Sequence, residues 1–539
     1  MKNESLEFDV LIIGCGVGGL SAGLKCAEAK LNVAFITREE DPKISNTFYA
    51  QGGIIYCPSQ SKSENFKKDT KSLVDDILRA SSQTAHKPAA EKLAQESGRI
   101  LEEILLLKAR TEFSKNPQKG SLLFTKEAAH SAARIIYKGD YTGKAIEVSL
   151  LNYLKNKDLF PNVTFLTGHT AIDLITPNHH GKIFQQRYEE HKVVGAYVFD
   201  QKNSQVKKIM SRSVVLATGG IGATYLHHSN SLGARGDGHA MAKRAQAILG
   251  DMEMVQFHPT TYYDSSTHRR FLISEALRGE GGVLINGRGE AFMKNYHPDA
   301  DLAPRDIVAR SILKEMVKGK TDSVFLDISF KDSKWVKERF PTIYEHCLQK
   351  NLDITKSPIP VVPAAHYSCG GVKVNLVGQT NVNQLYAVGE VACSGLHGAN
   401  RLASTSLLEG LSWGYFAAED IVSKIQSGAS KAYKASSIRD WEVAHNPCQL
   451  ELVQQDLLSL RQTMWNYVGP IRSKNRLQRA FVMIQQLSDE VQKFYRDTQL
   501  HDELIGLRNS LEVGLMVVKA SFRNKKSIGC FYLEDDNVG

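Results

Sequence analysis

Hydrophobic and polar positions along the chain divide it into three regimes. Phe8 to Ile13 is a short apolar run, the pattern of a strand buried on both faces of a parallel sheet. From Leu20 to Ala29 small and apolar residues recur at helical spacing, and Asn32 to Thr37 reads as strand again. Val214 to Ala217 and Leu385 to Val388 repeat the buried-strand pattern and run into Thr218-Gly219-Gly220 and Gly389-Glu390, turns that bring backbone close to a ligand. Gly236-Asp237-Gly238 between them predicts a further turn. A second regime covers about Asp251 to Leu352, with a helix over Asp306 to Lys318 and the proline-rich Ser357 to Pro363 as a loop after it. Beyond about Ser430 the pattern is helical: Leu450 to Trp465, Ile471 to Arg496 and His501 to Lys519, with a Leu, Val and Met stripe that predicts a bundle core.

The first regime carries chemistry. The strand at Phe8–Ile13 runs directly into Gly14-Cys15-Gly16-Val17-Gly18-Gly19, which matches G-x-G-x-x-G at Gly14, Gly16 and Gly19. Strand, glycine turn, helix and strand make a βαβ unit. Its glycines let backbone approach a diphosphate at a helix N-terminus, where free N–H groups favour anions. An NAD site places Asp or Glu at the end of the second strand; here that strand ends in Thr37-Arg38, which favours FAD. Cys15 reads as a small filler. The expected fold is α/β: a Rossmann-like FAD-binding domain in two parts, 1–250 and 355–429, an inserted α+β domain over 251–354, and a C-terminal helical bundle over 430–539.

Composition narrows the function. With 42% hydrophobic and 23% charged residues, the 539-residue chain has ample material for a large core, which excludes wholesale disorder. The net charge of +9 suits an anionic ligand. No run of six like charges occurs, and Trp441 to Gly539 holds 12 basic and 12 acidic residues, so no basic arm speaks for nucleic acid. The eight cysteines include no C-x-x-C pair, which argues against a metal or iron–sulfur centre and fits a reducing compartment. MKNESLEFDV lacks a secretory pattern, and no stretch of about 18 apolar residues exists to span a membrane. The expectation is a soluble cytoplasmic protein.

Several long motifs then resemble one superfamily. Ser45 to Gly53, Phe257-His258-Pro259-Thr260, Ser274 to Gly281, Ala303-Pro304-Arg305-Asp306, Pro363 to Tyr367 and His397 to Ser404 are similar to the flavoproteins of fumarate reductase and succinate dehydrogenase. The wording of Asn46 to Gly53, the stretch Glu127 to Ser131 and His397 to Arg401 resemble the L-aspartate oxidase branch. The resemblance implies a dicarboxylate site between the FAD domain and a capping domain, the inserted segment. Arg401, His366 and His258 would supply cations or donors to the carboxylates, and Ser274 a hydroxyl. Arg305 would be the proton donor or acceptor. A guanidinium has a pKa above about 12 and gives up protons poorly, so a relay through Glu275 and Arg278 is implied. For FAD the implied residues are Gly14 to Gly19 (Gly14, Cys15, Gly16, Val17, Gly18, Gly19), Arg38, Asn46, Thr47, Phe48, Tyr49, Ala50, Gln51, Gly52, Gly53, Asp237, Glu390, Ser406 and Leu407. The implied reaction takes L-aspartate to iminoaspartate with oxygen or fumarate as acceptor. By the same resemblance the product feeds quinolinate synthase in NAD biosynthesis, with transient contact between the two enzymes.

Each residue has a plainer reading. Arg305 before Asp306 at a helix start is by default a surface ion pair, His258 before a proline a satisfied loop histidine, and Glu127 the cap of a helix starting near Ala128. His179-His180 and His227-His228 read as surface residues. Two departures from the family stand out. Members that attach flavin covalently use a histidine where this chain has Asn46, so noncovalent FAD is expected. Ala128-Ala129 follow Glu127 where glycines often stand. A succinate dehydrogenase or fumarate reductase flavoprotein subunit shares nearly every motif and remains the alternative; Asn46 and the Glu127 stretch discriminate. A noncatalytic flavoprotein that docks a partner through its helical C-terminus would leave the carboxylate clamp without a purpose.

Overall fold

In the computed structural model, residues 5–58, 64–127, 129–267 and 269–537 are described. The apolar run forms β1 (Ser5–Ile13), the glycine turn leads into α1 (Val17–Glu28), and β2 (Val33–Thr37) follows. β1 lies parallel to β2 on one side and to β3 (Gln205–Leu216) on the other, and β2 is parallel to Val163–Thr167. The first half of β3 pairs antiparallel with Gly195–Asp200, while its last residues pair parallel with Leu385–Ala387. His169–Leu174 completes the seven-stranded sheet at that edge. Val10, Leu11 and Ile12 are fully buried, which is why β1 reads as apolar rather than alternating. The expected turn at Gly236-Asp237-Gly238 is confined to Gly236 at φ 83°; Asp237 already opens a helix that runs to Arg244.

The inserted segment builds a second sheet together with one strand from beyond its expected end at 354. β4 (Val255–Tyr262) runs antiparallel to a strand formed by Ile359–Ser368, which also pairs with Val324–Asp327, itself paired with Val283–Ile285. α2 (Arg305–Gly319) packs on this sheet, starting one residue earlier than periodicity suggested. The sequence reading of Ser357 to Pro363 as loop is corrected: Ile359–Ser368, here β5, is an inner strand. Two prolines are tolerated there for separate reasons. Pro363 falls in the register shift between the pairs His258–Ala364 and Thr261–Val362, and Pro360 needs only its carbonyl, which accepts the Tyr263 N–H at 2.9 Å.

α3 (Thr405–Gln426) returns to the first domain and packs along α1. The C-terminal helices are α4 (Leu450–Val468), α5 (Lys474–Asp497) and α6 (Asp502–Arg523), close to the expected limits. α5 buries Leu477, Ala480, Ile484 and Val491 along one stripe, whereas α6 is buried on nearly every side from Leu504 to Val518. α6 lies between its neighbours α4 and α5 and the Asp237–Arg244 helix of the first domain, so it is buried nearly all round and carries polar residues such as Asn509 and Glu512 into those contacts. All eight cysteines are described and none is in a disulfide. Among the described residues no helix is long and apolar enough to cross a membrane.

Candidate active site

A single cavity opens beyond the carboxyl ends of β1, β2, β3 and Leu385–Ala387, the place where open parallel sheets bind ligands. Gly14 turns the chain at φ 115°, and a Cβ on it would lie 2.1 Å from the Ala217 carbonyl oxygen, so no other residue fits. Gly16 starts α1 without a side-chain cap, and the Val17 N–H is met by Thr47 Oγ1 at 3.0 Å. Gly14 to Gly18, Arg38, Asn46, Thr47, Tyr49 to Gly53, Asp237, Glu390, Ser406 and Leu407 line the cavity. Two of the expected cofactor residues do not. Gly19 packs against Gly14, Ala217 and Ile12 behind the turn, and Phe48 stands edge-on to Tyr49 at 5.5 Å.

The lining suits an extended dinucleotide. Thr218 Oγ1, Gln51 Oε1 and Arg38 Nε are buried with no hydrogen-bond partner among the described residues, and all three residues line the cavity. Such groups ask for a ligand rich in donors and acceptors. Burial pushes the Cys15 thiol far above its ordinary range, which leaves it a filler. Arg38 is held by Glu39 and by Asp502 of α6, each at 3.0 Å, and Asp237 by Arg235 at 3.0 Å and Asn509 at 2.8 Å. Glu39 also lines the cavity. The carboxylate whose absence spoke against NAD is thus present just past β2, and FAD rests on other grounds.

The same cavity is lined by His258, Ser274, Glu275, Arg305, His366, Arg401 and Glu127. β4 supplies His258, β5 His366, and the start of α2 Arg305. Arg305 is no surface ion pair: its Nε and Nη2 each lie 2.5 Å from Glu275 Oε2, and its Nη1 donates to Gln256 Oε1 at 3.2 Å. Arg278 does not line the cavity. It is fully buried behind Glu275, 3.7 Å from its other oxygen, and donates to the Asp301 carbonyl at 2.6 Å. Burial pushes the Glu275 carboxyl up, but Arg305 and Arg278 outweigh it and hold the group below the usual carboxylate range. Arg401 donates to Ser406 Oγ at 3.2 Å and to Gln256 Oε1 at 3.0 Å.

The two histidines stand edge to face, 5.1 Å between ring centres. Burial, then the guanidiniums of Arg305 and Arg278, holds His258 well below its ordinary pKa; burial, His258 and Arg401 do the same to His366. They are neutral hydrogen-bonding groups, and the cations of the cluster are the arginines. His258 Nδ1 lies 3.0 Å from the Thr260 carbonyl and His366 Nδ1 2.8 Å from Ser229 Oγ, which fixes both rings. Ser274 caps its short helix by accepting the Ala276 N–H at 3.3 Å, leaving its proton free to donate.

Glu127 caps no helix; the described residues after it form a turn, and Ala128 lies outside the described residues. Ser404 Oγ donates to Glu127 Oε2 at 2.8 Å. The loop is pinned by His130, 3.0 Å from the Ala403 carbonyl, and by Ser131, whose N–H and hydroxyl reach Asp76 at 2.7 and 2.9 Å. Ala129 sits at φ 67°, the left-handed region where glycine is favoured. Burial raises the Glu127 carboxyl, with Glu275 adding to it and Ser404 opposing. Glu390 is pushed up to about 7, chiefly by burial. It accepts from Asn46 Nδ2 and the Ser368 N–H, both at 3.0 Å, while Asn46 Oδ1 takes the Ser231 N–H at 2.8 Å.

Gln256 escaped the sequence reading, and Tyr367, Ser404 and His130 lie in motifs it quoted without assigning them a role. His228, expected at the surface, is fully buried beside the cavity-lining Ser229.

Comparison with known proteins agrees with this geometry. Residues 9–407 match the FAD binding domain family and residues 458–537 the fumarate reductase flavoprotein C-terminal family. The chain is 38% identical over 536 residues to an L-aspartate oxidase of Vibrio cholerae, covering 98% of this chain and 96% of that protein. It is 40% identical over 531 residues to that of Acinetobacter baylyi, covering 98% and 93%. Among solved structures, E. coli quinol fumarate reductase superposes with a TM-score of 0.85 at 24% identity over 99% and 92% of the two chains. Mycobacterium smegmatis Sdh1 gives 0.81 at 27%, over 99% and 89%. A glycine turn, a cavity that suits a dinucleotide, a cationic cluster beside it and whole-length relatives converge: the chain is an FAD-dependent oxidoreductase and belongs to the L-aspartate oxidase family within the fumarate reductase and succinate dehydrogenase flavoproteins.

Proposed function

We propose that the protein oxidises L-aspartate to iminoaspartate and passes the electrons to oxygen or fumarate, with FAD held noncovalently. The observation that carries the reading is Glu127, a half-buried carboxyl that lines the same cavity as Arg305, Arg401, His258 and His366. A site for succinate or fumarate alone has no use for an acid there. Aspartate brings an α-ammonium group that needs one.

Bound FAD supplies the hydride acceptor. Gly14 to Gly18 and the start of α1 would hold its diphosphate, and Arg38, Glu39, Thr218, Gln51, Glu390 and Asn46 line the remaining cavity. The chain's own groups bind and orient the substrate. Arg401 and the two histidines fix the carboxylates, Ser274 donates a further hydrogen bond, and the substrate carbon is thereby placed for transfer. The anionic form of Glu127 pairs with the ammonium and takes its proton at a carboxyl oxygen. Burial raises its pKa, which makes it a stronger base than an ordinary carboxylate. For fumarate, Arg305 delivers a proton to carbon and Glu275, between Arg305 and Arg278, returns one to it. On this reading iminoaspartate is the product that quinolinate synthase consumes in NAD biosynthesis.

Anaerobic mixing of the FAD-loaded protein with L-aspartate should bleach the visible flavin absorbance, and fumarate should restore it. Succinate bleaching it as fast as aspartate would overturn the proposal in favour of a succinate dehydrogenase.

A further inference from the structure

We infer that Tyr367 is a positioning residue for substrate binding: its ring is the platform on which Arg401 lies, and the buried pair Glu409 and His397 anchors and polarises that platform from behind. This rests on the reading of Arg401 as a ligand of a substrate carboxylate.

Arg401 is 6% exposed, its Nε has no hydrogen-bond partner, and no carboxylate of the described residues forms an ion pair with it. A buried guanidinium with no carboxylate in contact is costly, and Glu390 offsets it only at a distance. A protein carboxylate would relieve the cost but would compete with the substrate for the same donors. The face of Tyr367 relieves it without competing: the Arg401 guanidinium carbon lies 4.6 Å from the ring centre.

The ring is not merely nearby. Tyr367 OH donates to Glu409 Oε2 at 3.1 Å and lies 3.2 Å from His397 Nε2, which is 2.8 Å from the same carboxylate oxygen. Ser394 Oγ donates to the other oxygen of Glu409. Burial raises the Glu409 carboxyl, but His397 opposite outweighs it and keeps the group anionic. A phenol donating its proton to an anion carries more negative charge on its ring, so part of the Glu409 charge reaches Arg401 through Tyr367. Three segments meet here: β5 through Tyr367, the loop of His397 and Arg401, and α3 through Glu409. His366, the neighbour of Tyr367, lines the same cavity, so fixing Tyr367 also fixes the strand end that presents it.

The test is equilibrium binding of fumarate to the oxidised, FAD-loaded protein, followed by the change in flavin absorbance; no turnover can occur without a reductant. Tyr367→Leu should weaken fumarate by roughly thirtyfold, the loss of a desolvated cation–π contact. Tyr367→Phe, which keeps the ring, and Glu409→Gln, which keeps the hydrogen bond but not the charge, should each weaken it by about threefold to fivefold. The KM for aspartate should follow these losses with kcat nearly unchanged, and FAD content should stay at wild-type level in the Phe variant. Fumarate affinity within twofold of wild type in both Phe and Gln variants would overturn the proposal even if the Leu variant fails to fold. So would losses confined to Tm or FAD content. Arg401→Met separates the two readings. If it abolishes fumarate binding while the Tyr367 and Glu409 variants do not, only the platform falls; if it binds fumarate normally, the clamp reading falls and the platform with it.

Discussion

Glu127 and Arg305 lie in one cluster and should fail in different ways. Truncating one partner of a buried charge pair costs roughly 2–5 kcal/mol, or at least about thirtyfold in affinity. Glu127→Gln should therefore cut kcat/KM for aspartate at least that far while fumarate reduction stays nearly intact; equal losses for both would mean that Glu127 supports fold or flavin. The pH profile gives the sign independently. Burial raises Glu127, and the anion is the form that receives the ammonium. Wild-type kcat/KM for aspartate should thus fall as pH drops through a value above the ordinary carboxylate range, and Glu127→Gln should lack this limb. Arg305→Leu should lower fumarate reduction by about 10²–10⁴-fold, the usual loss for a positioned acid, and aspartate oxidation less, because there the leaving proton is on nitrogen. A fumarate rate within about tenfold of wild type in the folded, flavin-loaded variant would remove Arg305 as the acid. Most residues singled out within a motif, Gly19, Phe48 and Arg278 excepted, were legible as cavity-lining from sequence alone. Gln256, which holds Arg305 and Arg401 with one amide oxygen, was not, because its importance comes from two partners 49 and 145 positions away.

At the scale of elements, the glycine turn and the strand–helix–strand unit were legible because both depend on neighbours in sequence. β5 was not: its prolines signal loop, and only the bulge on the facing strand and the carbonyl partner of Pro360 make room for them. The fit of α3 on α1 was equally hidden. A Cβ on Gly414 would lie 2.3 Å from the Gly18 carbonyl oxygen and 2.9 Å from Ser21 Cβ, so the two helices touch through a bare backbone. Gly414→Ala must push α3 off α1 or shift α1 itself, whose first turn lines the cavity. Overpacking of this kind costs about 1–3 kcal/mol. The variant should show a lower Tm together with weaker FAD binding, measured by quenching of flavin fluorescence on titration. A Tm loss with unchanged FAD affinity would show that α1 holds its place and α3 yields.

Across the whole molecule, the C-terminal helices and the cofactor domain share one charged junction. Asp502, at the start of α6, receives Arg235 at 2.8 and 3.0 Å, Arg38 at 3.0 Å and Thr170 Oγ1 at 2.6 Å. Burial raises its carboxyl, but Arg235 and then Arg38 outweigh it and hold it well below the ordinary range. A carboxyl depressed in the folded state contributes stability above its unfolded pKa and loses it as pH falls towards the folded value. Asp502→Asn should cost about 3 kcal/mol, the lower end for breaking a buried ion pair. Its Tm deficit against wild type should be full at pH 7 and shrink below the ordinary carboxylate pKa; a deficit independent of acid pH would mean that packing at α6, and not charge, joins the two parts. Since Arg38 lines the cavity, cofactor binding and docking of α6 are linked, and free FAD should stabilise the folded apoprotein by about 2.7 kcal/mol at one hundred times Kd. That linkage requires FAD to be exchangeable. Asn46 offers no nucleophilic nitrogen to tether a flavin, and its amide is already committed to Glu390 and Ser231. Acid precipitation should release all the yellow colour into the supernatant, and the recovered apoprotein should gain Tm with added FAD. Colour that stays on the precipitated chain would mean a covalent link formed elsewhere, and the molecule would then stand nearer to the succinate dehydrogenases than its Glu127 suggests.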